Sequence, residues 1–254
     1  MQNKRKAYPS DSTDAEWQFI MPHLPVQSHM GRPRQHAWRD IIDAIYYITH
    51  TGCQWRSLPG DFPHWKTVFT YFRLWRKSKW WVELNATVAP QVRELAGRDP
   101  APSAAALDSQ SAKATETGCF HGFDAGKKIK GIKRHILVDT MGLLITAVVH
   151  SAEVQDRDGA ALVLERTAKS GRHGRLDLIW ADSGYNAESA FKAARKYGWI
   201  LEIIKRSDDV RGFKLLPRRW VVERTFSWLG RNRRLAKDYE RLPETAECFI
   251  VSSQ

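Results

Sequence analysis

Three acidic residues stand where carboxylates could act together. Asp108 closes the apolar run Ala104 to Leu107 and is followed by Ser109 and Gln110. Asp182 closes Leu178-Ile-Trp-Ala and is followed by Ser183-Gly184-Tyr185. Each pattern suits a buried strand that delivers an acid as it emerges into a loop, and two such ends can lie side by side in one sheet. Glu223 is the one acid between Arg218 and Arg234, a stretch otherwise dense in arginine. The separations, 182 − 108 = 74 and 223 − 182 = 41, are so long that only the fold can bring the three together. Clustered carboxylates repel unless cations neutralise them, and oxygen-only donors select hard ions such as magnesium or manganese. Two such ions about 3.5–4 Å apart clamp the attacking and leaving oxygens of an in-line phosphoryl transfer. Taken singly, each aspartate also suits a turn or a helix cap, and Glu223 a surface ion pair.

The charge of the whole chain suits that chemistry. Forty Lys and Arg against 28 Asp and Glu leave a formal charge of +12, the electrostatic footprint of a protein with a phosphate-rich partner. Nucleic acid is the first candidate and an anionic membrane surface the competitor. The hydrophobic runs are too short to span a bilayer, and no basic segment followed by an apolar one opens the chain, so a soluble intracellular protein is expected. Cys53, Cys119 and Cys248 are odd in number and dispersed, which points to free thiols. His121, His135 and His150 lack the spacing of zinc ligands. Asp124, Asp139, Asp156 and Asp158 compete for metal roles, with Asp139 most simply a turn residue.

The elements that must position these residues follow from periodicity. Residues 1 to about 10 read as a loose basic tail. Ser12-Thr-Asp-Ala-Glu-Trp has the oxygen-bearing cap and early acids of a helix start, with a stop near Pro22 or Pro25. Gly31-Arg-Pro-Arg34 is a basic turn. Trp38 to His50, with Ile41, Ile42, Ile45 and Ile48 at helical spacing, and Trp65 to Trp81 complete a three-helix pattern of helix-turn-helix type. Arg32, Arg34, Arg73, Arg76 and Lys77 give that region a DNA-binding character. Seven of the eleven tryptophans lie before residue 100, and core packing is expected for most of them rather than stacking on bases. Residues 97–104 are a turn-rich linker.

Beyond the linker come a strand over 104–107, a hairpin from His135-Ile-Leu-Val-Asp139 to Leu143 onward, a helix over 156–169, a strand over 176–181, a helix over 187–197 and a strand over 199–204. The last element is the helix of Glu223, with Pro217 at its start and Val222, Phe226 and Leu229 along its buried side. Lys127, Lys128, Lys130, Lys133 and Arg134 form a basic run with no acid, either a solvated loop or a phosphate-contacting strand edge. Strands and helices in this order make a mixed sheet with a helical cover.

Leu107-Asp-Ser-Gln, the segment from Asp124-Ala-Gly-Lys-Lys to Lys133-Arg-His-Ile-Leu-Val-Asp139, Gln155-Asp-Arg-Asp-Gly, Trp180-Ala-Asp-Ser-Gly-Tyr185 and Arg218-Arg-Trp-Val-Val-Glu-Arg-Thr-Phe together resemble bacterial insertion-sequence transposases of the DDE type, in the insertion-sequence-five group. The likeness runs from about residue 10 to the end. It implies an α/β fold, an RNase-H-like mixed sheet with covering helices over 105–254, preceded by a small all-helical DNA-binding module over 1–96. It matches Asp108, Asp182 and Glu223 to the family's metal-binding acids, with two divalent cations, magnesium or manganese, as cofactors.

The implied partner is double-stranded DNA, as the terminal inverted repeats of an element and as target DNA. The implied reaction cuts phosphodiester bonds at the element ends and joins the freed 3′-hydroxyl to the target. A homodimer on DNA and a place on the nucleoid of the bacterial cytoplasm go with it, and no membrane. The wider superfamily carries a tyrosine and an arginine ahead of the last glutamate and a lysine seven residues beyond it. Here those positions hold Leu216, Arg219 and Gly230, with Arg231 the substitute for the lysine. Arg219, one turn before Glu223, is expected to orient that carboxylate or a DNA phosphate. The ending Phe249 to Gln254 is abrupt against relatives that continue with another apolar helical stretch, which implies a truncated copy. The competing expectation is therefore a transposase-derived DNA-binding protein without transposition, and the three intact acids favour the enzyme.

Overall fold

The computed structural model describes residues 5–26, 33–116, 121–171, 174–204 and 219–254. Helix α1 (Asp14–Ile20) opens where Thr13 and Glu16 form a capping box, each satisfying a backbone N–H that the helix leaves unpaired. A 3-10 turn over Met21–His23 carries Pro22 and ends it. Helix α2 (Trp38–Thr51) buries Ile41, Ile42, Ile45 and Ile48 and stops at Gly52, whose positive φ of 70° needs no Cβ relief. The tail before α1 is not loose from Arg5 on. Arg5 pairs with Asp11 at 3.0 Å and Asp43 at 3.2 Å and lies 4.3 Å from the centre of the Phe62 ring, on which Tyr8 also stacks. Asp43 is buried and accepts from the Ser12 N–H and hydroxyl, so the tail satisfies a carboxylate that would otherwise be stranded in the core.

The pattern over Trp65 to Trp81 predicts one helix, and the chain makes two, α3 (Trp65–Ser78) and α4 (Trp80–Leu95). Lys79 breaks them in the left-handed region at φ 59°. The break lets Trp80 and Trp81 turn back onto Trp75, at ring separations of 4.6 and 5.8 Å, a cluster that an unbroken helix would have spread around its circumference. Nothing in the periodicity of 82–95 predicts α4, which contains Pro90.

The remaining elements are β1 (Ala104–Lys113), β2 (Gly122–Asp124), β3 (Ile129–Asp139), β4 (Leu144–Ser151), α5 (Asp156–Ser170), β5 (Leu178–Ala181), α6 (Glu188–Lys196), β6 (Ile200–Ile203), α7 (Trp220–Gly230) and α8 (Pro243–Ser252). Strand order is β2-β3-β1-β5-β6, and β4 also pairs with β3. The pairs β1–β3, β2–β3 and β3–β4 are antiparallel, while β1–β5 and β5–β6 are parallel. This is the expected RNase-H-like mixed sheet with covering helices. One expectation fails in detail: β1 does not end at Leu107 but runs to Lys113, held in register by β3 as far as Lys113 opposite Gly131. Asp108 is thus a mid-strand residue.

Alternate residues of the sheet feed two cores. Leu107, Leu137 and Val148 face α5 and α6. Ala106, Ile136 and Val149 share the opposite core with α7, α8, α2 and α3, so the N-terminal helices and this face of the sheet are packed continuously. Helix α8, which periodicity does not signal, presents Glu247 to the outer edge of β4. Its carboxylate accepts from the Val149 N–H at 2.9 Å and pairs with Arg166 at 2.7 Å, satisfying an edge that would otherwise invite pairing. No helix among the described residues is long and apolar enough to cross a membrane.

Because Lys79 holds a backbone conformation that costs an L-residue about 1 kcal/mol, Lys79→Gly is expected to leave stability unchanged or raise it by up to about 1 kcal/mol, whereas Lys79→Val should lower it. Denaturant midpoints of the two variants check the ordering, and a more stable valine variant would contradict it.

Candidate active site

The site lies where β1 and β5 part. Their last shared rung is Ala106 opposite Trp180, and β5 ends one residue later, at Ala181. From Leu107 onward β1 has no strand partner on the β5 side. Asp108 projects into this opening, and Asp182, directly after β5, caps the short turn Ser183–Tyr185 by accepting from the Gly184 N–H at 2.8 Å. Both aspartates therefore do as acids emerging beside parallel strands should, although Asp108 achieves it by the shortness of β5 rather than by ending its own strand.

Arg219, the residue before α7, reaches both. Its Nη2 is 3.0 Å from Asp108 Oδ2 and 3.7 Å from Asp182 Oδ2, and its side chain is almost wholly buried. The expected partner, Glu223, is not the one it holds. The reason is electrostatic: two carboxylates in a half-buried opening need a positive charge between them, and a guanidinium fork is suited to it. Burial pushes the Asp108 carboxyl up to about 6; Arg219 opposes that shift and the charge of Asp182 adds to it. Tyr185 beneath is fully buried, and burial together with Asp108 and Asp156 holds its hydroxyl well above its ordinary pKa.

Glu223 sits one turn beyond Arg219 on α7, half-buried, so the three expected acids do not form one cluster. Among the described residues no group of three His, Cys, Asp or Glu is close enough to hold a metal ion. The two donors that do converge are carboxylate oxygens, the type a hard cation takes, partly removed from water and with Arg219 as the positive charge between them. Asp108 and Asp182 alone are brought together around Arg219; Glu223 is not joined to them among the described contacts.

Below the acids the same sheet carries a buried polar network that periodicity does not single out. The Ser109 hydroxyl donates to Asp156 Oδ1 at 2.8 Å. Lys133 Nζ lies 3.0 Å from Asp156 and 3.3 Å from Asp124 and donates to the Val154 carbonyl at 2.9 Å. His150 Nδ1 faces the Ser151 carbonyl at 2.8 Å, which can only accept, so that nitrogen carries the proton. His150 Nε2 then accepts from His135 Nδ1 at 2.8 Å, and His135 Nε2 is left without a proton, 3.7 Å from Asp156. Helix α5 crosses this ring at Gly159, where a Cβ would stand 2.2 Å from His135 Cε1. The visible signal was the presence of Lys133 and His135 within β3 where its burial is continuous, together with a glycine inside a helix.

The basic residues separate sharply. Lys133 and Arg134 are not surface cations: Lys133 is bound in the network above, and Arg134, 1% exposed, donates to the Leu235 carbonyl at 2.6 Å. Alternation along β3 sends the two side chains to opposite faces of the sheet, and because both faces are covered both are buried, which corrects their assignment as phosphate contacts. Arg76 is half-buried and bonds Thr245 of α8. Arg34 lies 4.0 Å over the Trp38 ring. Arg73, Lys77, Lys127, Lys128, Lys130 and Arg231 are exposed. Arg32, Pro217 and Cys119 lie outside the described residues, while Cys53 and Cys248 are free thiols. Asp139 is a turn residue as expected, accepting from the Met141 and Leu143 N–H groups, and it also pairs with buried Arg93.

Burial, aided by His150 and Lys133 and opposed by Asp156, lowers the pKa of His135 to about 3; burial also lowers that of His150, with Lys133 adding to the shift and the Ser151 carbonyl and Asp156 opposing it. The unfolded rings titrate near 6.5, so the stability they contribute is present above pH about 6.5 and is lost as pH falls toward the folded values, by up to about 1.4 kcal/mol per pH unit for each ring. The pH dependence of the unfolding free energy between pH 7 and 5 should be shallower in His150→Gln than in the wild type; equal slopes would contradict a neutral buried pair.

Comparison with known proteins gives the family of the chain. Residues 99–252 match the family described as the transposase DDE domain, and residues 13–85 match the putative transposase of IS4/5 family. A putative transposase for insertion sequence element IS402 from Burkholderia cepacia is 32% identical over 125 residues, 47% of this chain and 59% of that protein, so the match spans less than two thirds of the relative's length. The Mos1 transposase paired-end complex with left transposon end aligns over 74% of this chain and 65% of that one at 9% identity, with a TM-score of 0.28, a likeness too slight to argue from. The match over 99–252 covers more than half of the 254 residues and contains all three acids and Arg219: the chain belongs to the DDE transposase family of bacterial insertion sequences, of the IS4/5 type.

Proposed function

We propose that this protein is the transposase of an insertion sequence, which binds the terminal inverted repeats of its element, cuts phosphodiester bonds at the element ends and transfers the freed 3′-hydroxyl to target DNA. The observation that carries the reading is the meeting of Asp108 and Asp182 around Arg219 at the parting of β1 and β5, in a chain of charge +12 that belongs to this family. Asp108, Asp182 and Glu223 would hold divalent cations, magnesium or manganese. When bound, these supply a lowered pKa for an attacking water or hydroxyl and charge neutralisation at the leaving oxygen.

The chain's own residues supply position and charge. Arg219 sets the two aspartates at a fixed spacing and keeps them partly neutralised before DNA arrives. Helix α7 couples Arg219 and Glu223, so that a shift of this one helix adjusts both with respect to β1. No nucleophilic side chain is required, because the nucleophile is water or a DNA hydroxyl. DNA binding is assigned largely to residues 10 to 95, where α3 carries Lys66, Thr70, Arg73 and Lys77 at i, i+4, i+7 and i+11, an exposed polar stripe opposite buried Val68, Phe72 and Trp75. Lys127 and Lys128 on the β2–β3 turn, Lys130 at the start of β3 and Arg231 after α7 extend the phosphate-binding surface. A homodimer on DNA would engage both element ends.

The deciding experiment is strand cutting and strand transfer on duplexes carrying the element's terminal repeats, with and without magnesium. Asp108→Asn, Asp182→Asn and Glu223→Gln should each reduce both steps to background while binding end DNA at least as tightly as wild type, since less negative charge opposes phosphate approach. A triple variant that still cuts would overturn the reading. End binding without cutting in the wild type would favour a transposase-derived DNA-binding protein instead.

Affinity for the repeat should fall by about 10³-fold or more between 50 and 200 mM salt if six or more phosphates are neutralised. A titration series at several salt concentrations measures this, and a flat response would remove α3 and the basic turn from the DNA surface.

A further inference from the structure

Lys127 is exposed on the turn between β2 and β3, yet its ammonium is not directed at solvent alone. Its Nζ lies 3.3 Å from the Ser109 hydroxyl and 3.4 Å from the Ser109 carbonyl, beside the residue that follows Asp108. It interacts electrostatically with Asp108 and with Asp156. The turn that presents it is held from below. Asp124 Oδ1 accepts from the Lys127 N–H at 3.0 Å, and Asp124 Oδ2 accepts from the Ser111 hydroxyl at 2.6 Å and pairs with Lys133. Lys128, next in the chain, takes the left-handed conformation at φ 53°, which folds the turn back toward β1. The Ser109 hydroxyl in turn is oriented by Asp156, to which it gives its proton, so its lone pairs are free to face the ammonium.

These contacts are long for a charged donor, and Lys127 has no carboxylate within ion-pair distance among the described residues. Lys133, on the neighbouring strand, has two and is buried. The network thus holds one lysine as a structural charge and leaves the other at the rim of the acidic opening on a flexible four-carbon stem. A compact, mobile ammonium beside two carboxylates is suited to an anion that approaches them, because it offsets the repulsion at the moment of contact.

We propose that Lys127 holds the scissile phosphodiester of the DNA against Asp108 and Asp182, exchanging its weak contacts to Ser109 for a non-bridging phosphate oxygen. The assignment rests on the transposase reading above and adds to it a substrate-contacting residue outside the three acids. Asp156 is the positioning residue that fixes Ser109, and through it the resting place of the ammonium.

The test compares two duplexes carrying the element's terminal repeat, one with an ordinary phosphodiester at the cleavage position and one with an uncharged methylphosphonate there. Binding of both, and single-turnover cutting of the first, are measured with wild type, Lys127→Met, Lys127→Arg and, as a control on the same turn, Lys128→Met. Wild type should prefer the charged duplex, and Lys127→Met should lose that preference by about 10-fold or more and cut correspondingly more slowly. Lys127→Arg should restore most of it, while Lys128→Met, at a phosphate contact away from the scissile position, should weaken both duplexes alike and so keep the preference. Equal weakening on both duplexes would make Lys127 a structural tether and overturn the proposal, as would an undiminished preference in Lys127→Met. If the wild type itself cuts no end DNA in magnesium, the transposase reading fails, whatever the variants do; if it cuts and Lys127→Met cuts as well, only the present proposal fails.

Discussion

Placing like charges side by side in a half-buried opening is the constraint around which the rest of this protein is arranged. Asp108 and Asp182 arrive there because β5 stops while β1 continues, and their mutual repulsion has to be met by something that can be held without water. Arg219 meets it. For Arg219 to stand there, α7 must be fixed against β1 and β3, which is the work of Val222, Phe226 and Leu229 in the larger core and of the Thr225 hydroxyl, bonded to the Gly142 carbonyl in the hairpin turn. A helix anchored to the hairpin thus delivers the compensating charge to Asp108 on the face of β1 against which that helix packs.

The network around Lys133 applies the same rule on the opposite face of the sheet. Asp124 and Asp156 flank a buried lysine that satisfies its three donors on them and on the Val154 carbonyl, and the histidine pair fills the remaining space as neutral rings. Such a network is stable only when nearly complete, since each member would be costly to leave unpaired. Its completeness gives β1 a rigid underside at Ser109, one residue from an acid that has no strand partner on its other edge. Rigidity below and openness above are what a site needs if it is to accept a bulky polyanion without rearranging its own carboxylates.

The N-terminal helices join this arrangement rather than standing apart from it. The stacking of Phe72 on Phe249 at 4.7 Å and the bond from Arg76 to Thr245 tie α3 to α8, and α8 in turn covers the edge of β4 through Glu247. A basic stripe on α3 is therefore carried at a set distance from the acids by a continuous apolar core, and DNA gripped at one would be presented to the other in a defined orientation.

Much of this was legible in the order of residues because it depends on local spacing. The isoleucines of α2, the capping box at Thr13, the Asp139 turn and the buried stripe of α7 follow from periods and side-chain chemistry that act over a few residues. The meeting of two acids was legible as well, from the apolar runs before Asp108 and Asp182, whereas Glu223, singled out by its isolation among arginines, does not join them. Partnership was not. That Arg219 would hold two aspartates rather than its helical neighbour, that Lys133 and Arg134 would turn inward while Lys127 stayed at the rim, and that the helix after Trp65 would break at Lys79 all depend on groups that are distant in the chain. Charge compensation and aromatic packing between such groups are set by whichever partners the closed sheet brings within a few ångströms, and that distance exists only in the folded molecule.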